Sequence, residues 1–296
     1  MFIYLYKVYR QTPSLWVHMA NVVLVCVGNF QEYIITNITQ LLRLGHTSIY
    51  VLTNVHLFNN FDRYKDDSRV KVVGVESLND SYRYYERTNL DKGFRNGFWA
   101  LASLRFFYIY EFMEQFKIDN VIHLENDVLV YYNCDEIAKR AGSQHLYLPF
   151  DCFDRNIASI MYIPSASVFR RILDQYDLTI NDMENFVQIS KRCELIQRFP
   201  IFPANVYTNP EIQFVSVNHQ KFGYLFDAAA IGQYLGGVDP RNQPGDTKGF
   251  VNETCIIKYN AHRFIWENHK PYIIINDMKF PIFNLHIHHK NLQDFI

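Results

Sequence analysis

Two carboxylates one residue apart, Glu125 and Asp127, stand between the apolar, strand-like stretches Val121 to Leu124 and Val128 to Tyr131. Inside a half-buried strand each unpaired carboxylate costs several kcal/mol. The acid-amide-acid step Glu125-Asn126-Asp127 therefore needs a strand end open to solvent, or a cation. A divalent ion carrying phosphates meets both needs, because Mg2+ and Mn2+ take oxygen ligands and keep positions open for substrate phosphates. The stretch reads as a nucleotide and metal site, with Glu125 and Asp127 as ligands and Asn126 beside the nucleotide.

The late segment Asn284-Leu285-His286-Ile287-His288-His289-Lys290 offers the complement. Period-two alternation puts Asn284, His286 and His288 on one face of a strand. One of the two imidazoles could join the carboxylates, and Lys290 suits a phosphate. An H-x-H pair also begins hydrolytic zinc sites, so His286 and His288 by themselves admit a metal-dependent hydrolase as well.

The elements that must position these groups follow from periodicity. Val22 to Val27 is a continuous β-branched and apolar run ending at Gly28-Asn29, a buried parallel strand closing in a turn. A helix from about Glu32 to Leu44, stopped by Gly45, and a second strand from Ser48 to Leu52 ending in Thr53-Asn54 complete a β-α-β unit. Open α/β sheets bind ligands at strand C-termini, which makes Gly28, Asn29, Thr53 and Asn54 candidate nucleotide contacts. Val70 to Val75 is a further strand. Phe98 to Phe116 is a helix apolar on nearly every face, and its Arg105 must find an anion such as pyrophosphate, pair with Glu125, or snorkel to water. Helix Asp135 to Ala141, strands Leu146 to Pro149 and Ile157 to Ile163, and helix Ser165 to Tyr176 come next, before prolines 200, 203 and 210 break the chain. A helix from Phe226 to Leu235 carries Asp227 as cap or first-turn acid. It runs into a loop, Gly236 to Gly245, whose Gly236 and Gly237 are of the kind that closes over a ligand.

Composition sets the limits. At 296 residues with 49% apolar content the chain holds a sizeable core, and 29 basic against 30 acidic residues, without a basic run, argue against nucleic acid. Five scattered cysteines fit a reducing compartment. No stretch is long enough to span a membrane, and the start lacks the pattern of a signal peptide, so the expectation is a soluble, cytoplasmic protein. Neither the dinucleotide G-x-G-x-x-G nor the P-loop fingerprint occurs. The tripeptide sequons at Asn37, Asn79 and Asn252 carry no weight. The aromatic share, 16%, admits a homodimer through an aromatic surface.

A β-α-β nucleotide half, a helix with an arginine, a strand ending in acid-x-acid, an acid-led helix and a late histidine near a lysine resemble GT-A-type glycosyltransferases. The resemblance runs from about Asn21 to the end. FDAAAIGQYLGGVDPRN and NLHIHHKNL are similar to segments in small members of that superfamily. It implies an α/β, GT-A-like single domain: an extension over 1–20, a Rossmann-like nucleotide-sugar half over 21–132, and a mixed-sheet acceptor half over 133–296. It also implies that Glu125 and Asp127, the DxD step, hold Mn2+ or Mg2+ on the diphosphate of a sugar nucleotide, with UDP the usual base. His286 or His288 would complete the metal shell and Lys290 would touch phosphate. The step departs from the motif in its first acid, Glu125 in place of Asp. The implied reaction moves a sugar to a hydroxyl of a glycan or glycoconjugate, with Arg105 or Arg241 helping Lys290 to stabilise the leaving diphosphate. An inverting enzyme would need a carboxylate base, for which Asp227 comes first and Asp151 second, while Asp239 could bind the donor sugar. The competing readings are the hydrolase, a non-catalytic glycan-binding protein of the same fold, and a nucleotidyltransferase, whose glycine-rich phosphate loop is missing.

Overall fold

The computed structural model describes residues 19–204, 206–239 and 252–296. It has thirteen strands among the described residues: β1 (Asn21–Cys26), β2 (Ile49–Thr53), β3 (Val70–Gly74), β4 (Val121–Leu124), β5 (Val128–Val130), β6 (Leu146–Cys152), β7 (Arg155–Asn156), β8 (Ile160–Ile163), β9 (Ile196–Phe199), β10 (Leu225–Phe226), β11 (Arg263–Glu267), β12 (Lys270–Ile275) and β13 (Met278–His286). The helices are α1 (Ile34–Arg43), α2 (Tyr84–Arg87), α3 (Phe98–Phe116), α4 (Asp135–Ala141), α5 (Ala166–Leu173), α6 (Asp182–Ser190), α7 (Pro210–Ser216), α8 (His219–Phe222) and α9 (Ile231–Gly236). The architecture is mixed α/β, with a parallel-rich sheet and a second, mainly antiparallel one.

The large sheet runs β3-β2-β1-β4-β8-β6-β7, with β9 also on β6. Its first four strands are parallel, as the Rossmann-like reading requires. Alternation explains why they are apolar throughout. Val22, Leu24, Ile122 and Leu124 pack in one cluster with Ile34, Ile38 and Leu41 of α1, while Val23 and Val121 pack with Phe106, Ile109 and Met113 of α3. A sheet covered on both faces has no polar side to spare. Because β4 pairs antiparallel with β8, the sheet continues without a break past residue 132. The smaller sheet runs β10-β13-β12-β11, and β5 joins it by pairing antiparallel with β13.

Several expected elements sit where periodicity placed them, among them α3, α4 and β4. The helix expected over Phe226 to Leu235 starts later, at Ile231, because Phe226 belongs to β10 and the Asp227 carboxylate binds the N–H groups of Ala230, Ile231 and Gly232. The alternation expected to carry as far as His288 stops with β13 at His286. Helices α6 and α7 and strands β9 and β11 lie in stretches where no element was expected. The loop residues 240–245, with Arg241, and the extension over 1–18 lie outside the described residues. Among those described, no helix is long and apolar enough to cross a membrane.

Burial also creates an acid-sensitive point far from the carboxylate pair. His46, 2% exposed, accepts the backbone N–H of Cys134 on Nε2 at 3.3 Å. Burial lowers its pKa to about 4, against a smaller opposite pull from Asp135. The unfolded chain therefore binds a proton there below its ordinary value while the folded chain does not until about pH 4. Stability should fall by up to about 3 kcal/mol between roughly pH 6.5 and pH 4. Denaturant titrations across that range should show the loss, and His46→Gln, which can still accept the Cys134 N–H, should flatten it. An unchanged pH slope in the variant would refute the assignment.

Candidate metal centre

The centre is assembled by strand pairing. β13 pairs antiparallel with β5 in the register Asn284↔Val130, Leu285↔Leu129, His286↔Val128. Just beyond, the Ile287 N–H donates to the Asp127 carbonyl at 2.8 Å. His286 is thus delivered to the acid-amide-acid step, which the tight link between β4 and β5 presents at the carboxyl end of β4. That link is held from behind by α1, where Asn37 Nδ2 donates to the carbonyls of Glu125, Asn126 and Val128 and Gln40 Nε2 to that of Val130. The Asn126 side chain faces away from the carboxylates. It donates to the Val25 carbonyl at 2.8 Å and to Gln31 Oε1 at 2.6 Å, and ties the step to the loop after β1.

Each carboxylate divides its oxygens in the same way. Glu125 gives Oε2 to His286 Nε2 at 3.2 Å and Oε1 to Arg105 at 2.7 Å. Asp127 gives Oδ1 to the same Nε2 at 3.2 Å and Oδ2 to Lys290. Arg105 reaches on to Asp182 at 3.1 Å, so one guanidinium bridges two carboxylates. Of the readings open for Arg105, the Glu125 pair is the one present. Burial disfavours charge on Arg105, yet Glu125 and Asp182 more than offset it and raise its pKa above the usual value. Burial likewise opposes ionisation of Asp127, but Lys290 and His286 hold its carboxyl well below the usual range. Burial also works against a charged His286, and here Asp127 and Glu125 prevail and raise its pKa.

One ligand atom each from Glu125, Asp127 and His286 lies within 4.8 Å of the others, the one such group of His, Cys, Asp and Glu among the described residues. Donors about 2.1 Å from a common Mg2+ lie about 3 to 4.2 Å apart, so two oxygens and one imidazole nitrogen in this arrangement suit a small divalent ion. The proton that His286 Nε2 shares between the carboxylates marks the same position. Metal binding there must release it.

The other expected residues fall around this centre. Lys290 follows a turn, with a left-handed φ of 71°, and lies 5.6 Å from the centroid of the Tyr33 ring. His288 is not part of the three-residue group; its ring centroid is 4.2 Å from that of His286, and burial, with His286 and Lys290 beside it, keeps it neutral. Gly28 and Asn54 close on each other through the Gly28 N–H and Asn54 Oδ1 at 2.8 Å, Asn29 is exposed, and Thr53 Oγ1 donates to the Cys26 carbonyl. Gly236 ends α9 against the His289 ring, and Gly237 follows with φ 95°. Asp227 has no exposed surface and accepts four backbone N–H groups, from Ala230, Ile231, Gly232 and His286, at 2.7 to 2.9 Å. Asp151, equally buried, is bound by the Arg155 guanidinium and by Asn252 Nδ2 at 3.2 Å. Neither carboxylate presents a free oxygen to a substrate. Asp239 is buried, 6% exposed.

Sequence reasoning missed Asp182 and Asn37. Asn37 and Gln40 had a signal, two polar residues at i and i+3 on the apolar face of an amphipathic helix. Asp182 had none, since its partners come from distant segments.

No protein-family model matches this chain, and no curated protein does. Among solved structures it is similar to mouse xyloside xylosyltransferase 1, at 10% identity and TM-score 0.44 over 61% of this chain and 85% of that one. It is similar also to the glycosyltransferase GlyE of Streptococcus pneumoniae TIGR4, at 14% and 0.41 over 62% and 45%, and to the bifunctional glycosyltransferase WbbM, at 13% and 0.40 over 71% and 45%. The chain spans less than half of the latter two. At scores below 0.5 these likenesses fix no activity here, and what the site can do follows from its own side chains.

The packing of α9 on β13 can be tested directly. A Cβ at Gly232 would lie 2.0 Å from the His286 carbonyl oxygen, which no side-chain adjustment relieves. Gly232→Ala should cost about 1 to 3 kcal/mol or more by forcing α9 off the strand, and should weaken Mn2+ binding because His286 moves with it. Chemical denaturation and metal titration measure the two effects, and wild-type values in both would contradict this account.

Proposed function

We propose that the chain is a metal-dependent glycosyltransferase that moves a sugar from a nucleotide diphosphate to an acceptor hydroxyl on a glycan or glycoconjugate. The observation that carries this reading is the union of two carboxylates and one imidazole, from segments 160 residues apart, with Lys290 and Arg105 on the outer oxygens. Glu125, Asp127 and His286 would hold Mn2+ or Mg2+, which supplies Lewis-acid stabilisation of charge on the diphosphate. Three carboxylates, Glu125, Asp127 and Asp182, face two permanent cations. His286, whose pKa Asp127 and Glu125 raise, balances the third carboxylate while it is protonated, so a divalent ion would enter by displacing that proton.

Within this reading the protein's own residues have distinct tasks. Lys290 neutralises a diphosphate oxygen as negative charge grows on the leaving group. Arg105 is held on Glu125 and Asp182 and keeps the Glu125 carboxylate aimed; it is too enclosed to leave both. The nucleoside lies on the β1 side, over the loop with Gly28 and Asn29 and beside Asn54 just past β2; Thr53, fully buried with its hydroxyl on the Cys26 carbonyl, takes no part. Asp227 and Asp151 support the scaffold in this proposal, because their oxygens are spoken for by N–H donors. A hydrolase using His286 and His288 together is less well supported, since His288 stands outside the ligand group.

Calorimetric titration of UDP and GDP, with and without Mn2+, tests the reading. We expect one nucleotide, UDP first, to bind only with metal, and Asp127→Ala to weaken that binding by two orders of magnitude or more, on the order of the effect of losing a metal ligand and its charge. UDP-sugars would then be screened for turnover. No nucleotide binding with metal present would sink the transferase reading, and stoichiometric zinc on His286 and His288 would favour the hydrolase.

A further inference from the structure

Strand β11 ends the small sheet. It pairs antiparallel with β12 from Arg263↔Ile274 to Glu267↔Lys270 without a shift in register, and among the described residues no strand lies on its other side. Such an edge presents a row of unpaired N–H and C=O groups, which proteins usually guard with a lysine, a proline or a bulge. β3, at the edge of the large sheet, carries the exposed Lys71. β11 reads Arg-Phe-Ile-Trp-Glu and has none of the three. Its Arg263, Trp266 and Glu267 are exposed, Trp266 by 43%, while Phe264 and Ile265 are half-buried.

The turn after β11 decides which backbone groups are unpaired. Asn268 and His269 both take left-handed φ, 51° and 60°, the two-residue hairpin turn whose flanking residues, here Glu267 and Lys270, are hydrogen-bonded to each other. Bonded pairs alternate along an antiparallel ladder. Arg263, Ile265 and Glu267 therefore turn their amides toward β12, and Phe264 and Trp266 turn theirs outward.

The order of the side chains decides the occupant. When two β11 strands pair antiparallel about Ile265, Arg263 of each copy faces Glu267 of the other, Phe264 faces Trp266, and Ile265 faces itself. The same register brings the outward amides of Phe264 and Trp266 together. Charges, rings and hydrogen bonds select one register, and because that register is two-fold it closes as a dimer. Glu267 already meets Lys279 at 2.5 Å, an exposed pair worth little, and would then lie between that lysine and an arginine of the second copy. We propose that the chain self-associates through β11, which joins the small sheets of two copies into one continuous sheet. The proposal does not depend on what the metal centre does. An interface of five residues a side is small, so the dissociation constant should be about 1 to 100 μM.

Sedimentation equilibrium of the full chain from about 1 to 200 μM should show a monomer and dimer in that range. Arg263→Glu and Glu267→Arg each set like charges opposite one another twice, and each should raise the dissociation constant about tenfold or more. The double variant restores both pairs with their ends exchanged and should return to within about threefold of wild type, which a fold damaged by either change would not do. Hydrogen exchange at Phe264 and Trp266 should slow as protein concentration rises, while that at Ile265 stays constant. A wild type that is monomeric at about 200 μM, or that assembles beyond a dimer, would overturn the proposal. So would a dimer insensitive to either single change, or a double variant that does not recover, since the contact would then lie elsewhere or in another register. Slow exchange at Phe264 and Trp266 at every concentration would also overturn it, because another segment of the same chain would then cover the edge.

Discussion

The centre depends on one strand register. β5 has three residues, and its pairing with β13 sets His286 opposite Val128, one step from Asp127. A slip of one residue would turn His286 toward the core and bring Leu285 or Ile287 to the carboxylates. Little in so short a ladder fixes the register by itself. The Asp227 carboxylate does so from the side: it accepts the His286 N–H and, through the same two oxygens, the first-turn N–H groups of α9. Helix and strand are pinned to one buried charge, and Gly232 lets the helix backbone approach the His286 carbonyl closely enough for that to happen.

Such a buried carboxylate is expensive, and it is stable because it is fully hydrogen-bonded. Burial pushes the Asp227 pKa up against the pull of those N–H donors. The same trade recurs through the centre. Asp182 is buried with its pKa raised by desolvation, opposed by Arg105, and Arg105 is in turn made tolerable by two carboxylates. Charges are enclosed in chains, each satisfying the next, so that losing one member strands its neighbours. That arrangement gives rigidity around the carboxylate and imidazole atoms of the centre.

How much of this was legible in the sequence follows from distance along the chain. The carboxylate step was legible because two acids between apolar strands have no ordinary explanation. His286 and Lys290 were legible because they cluster at the end of an apolar run. The parallel strands and α3 were legible because burial on all sides leaves no polar positions. That His286 joins the carboxylates while His288 stands outside the group was not, since it turns on where β13 ends. Nor could Asp227 be separated into cap or base without the backbone of β13, and the stretch after residue 176 lacked the periodicity that would have disclosed α6 and β9.

The length of the Glu125 side chain is matched to its two partners. An aspartate at this position would be one methylene shorter, and its carboxylate could not lie 2.7 Å from Arg105 on one side and 3.2 Å from His286 on the other without moving the strand. Arg105 is anchored by Asp182 and by packing of its guanidinium 4.6 Å from the Phe106 ring centroid, so it does not come forward to meet a shorter acid. The longer side chain is the one that fits between a fixed guanidinium and a fixed imidazole. Glutamate at 125 and the buried Arg105 to Asp182 pair therefore fit one another, and a shorter acid at 125 would be compatible with this centre only if the arginine behind it were placed differently.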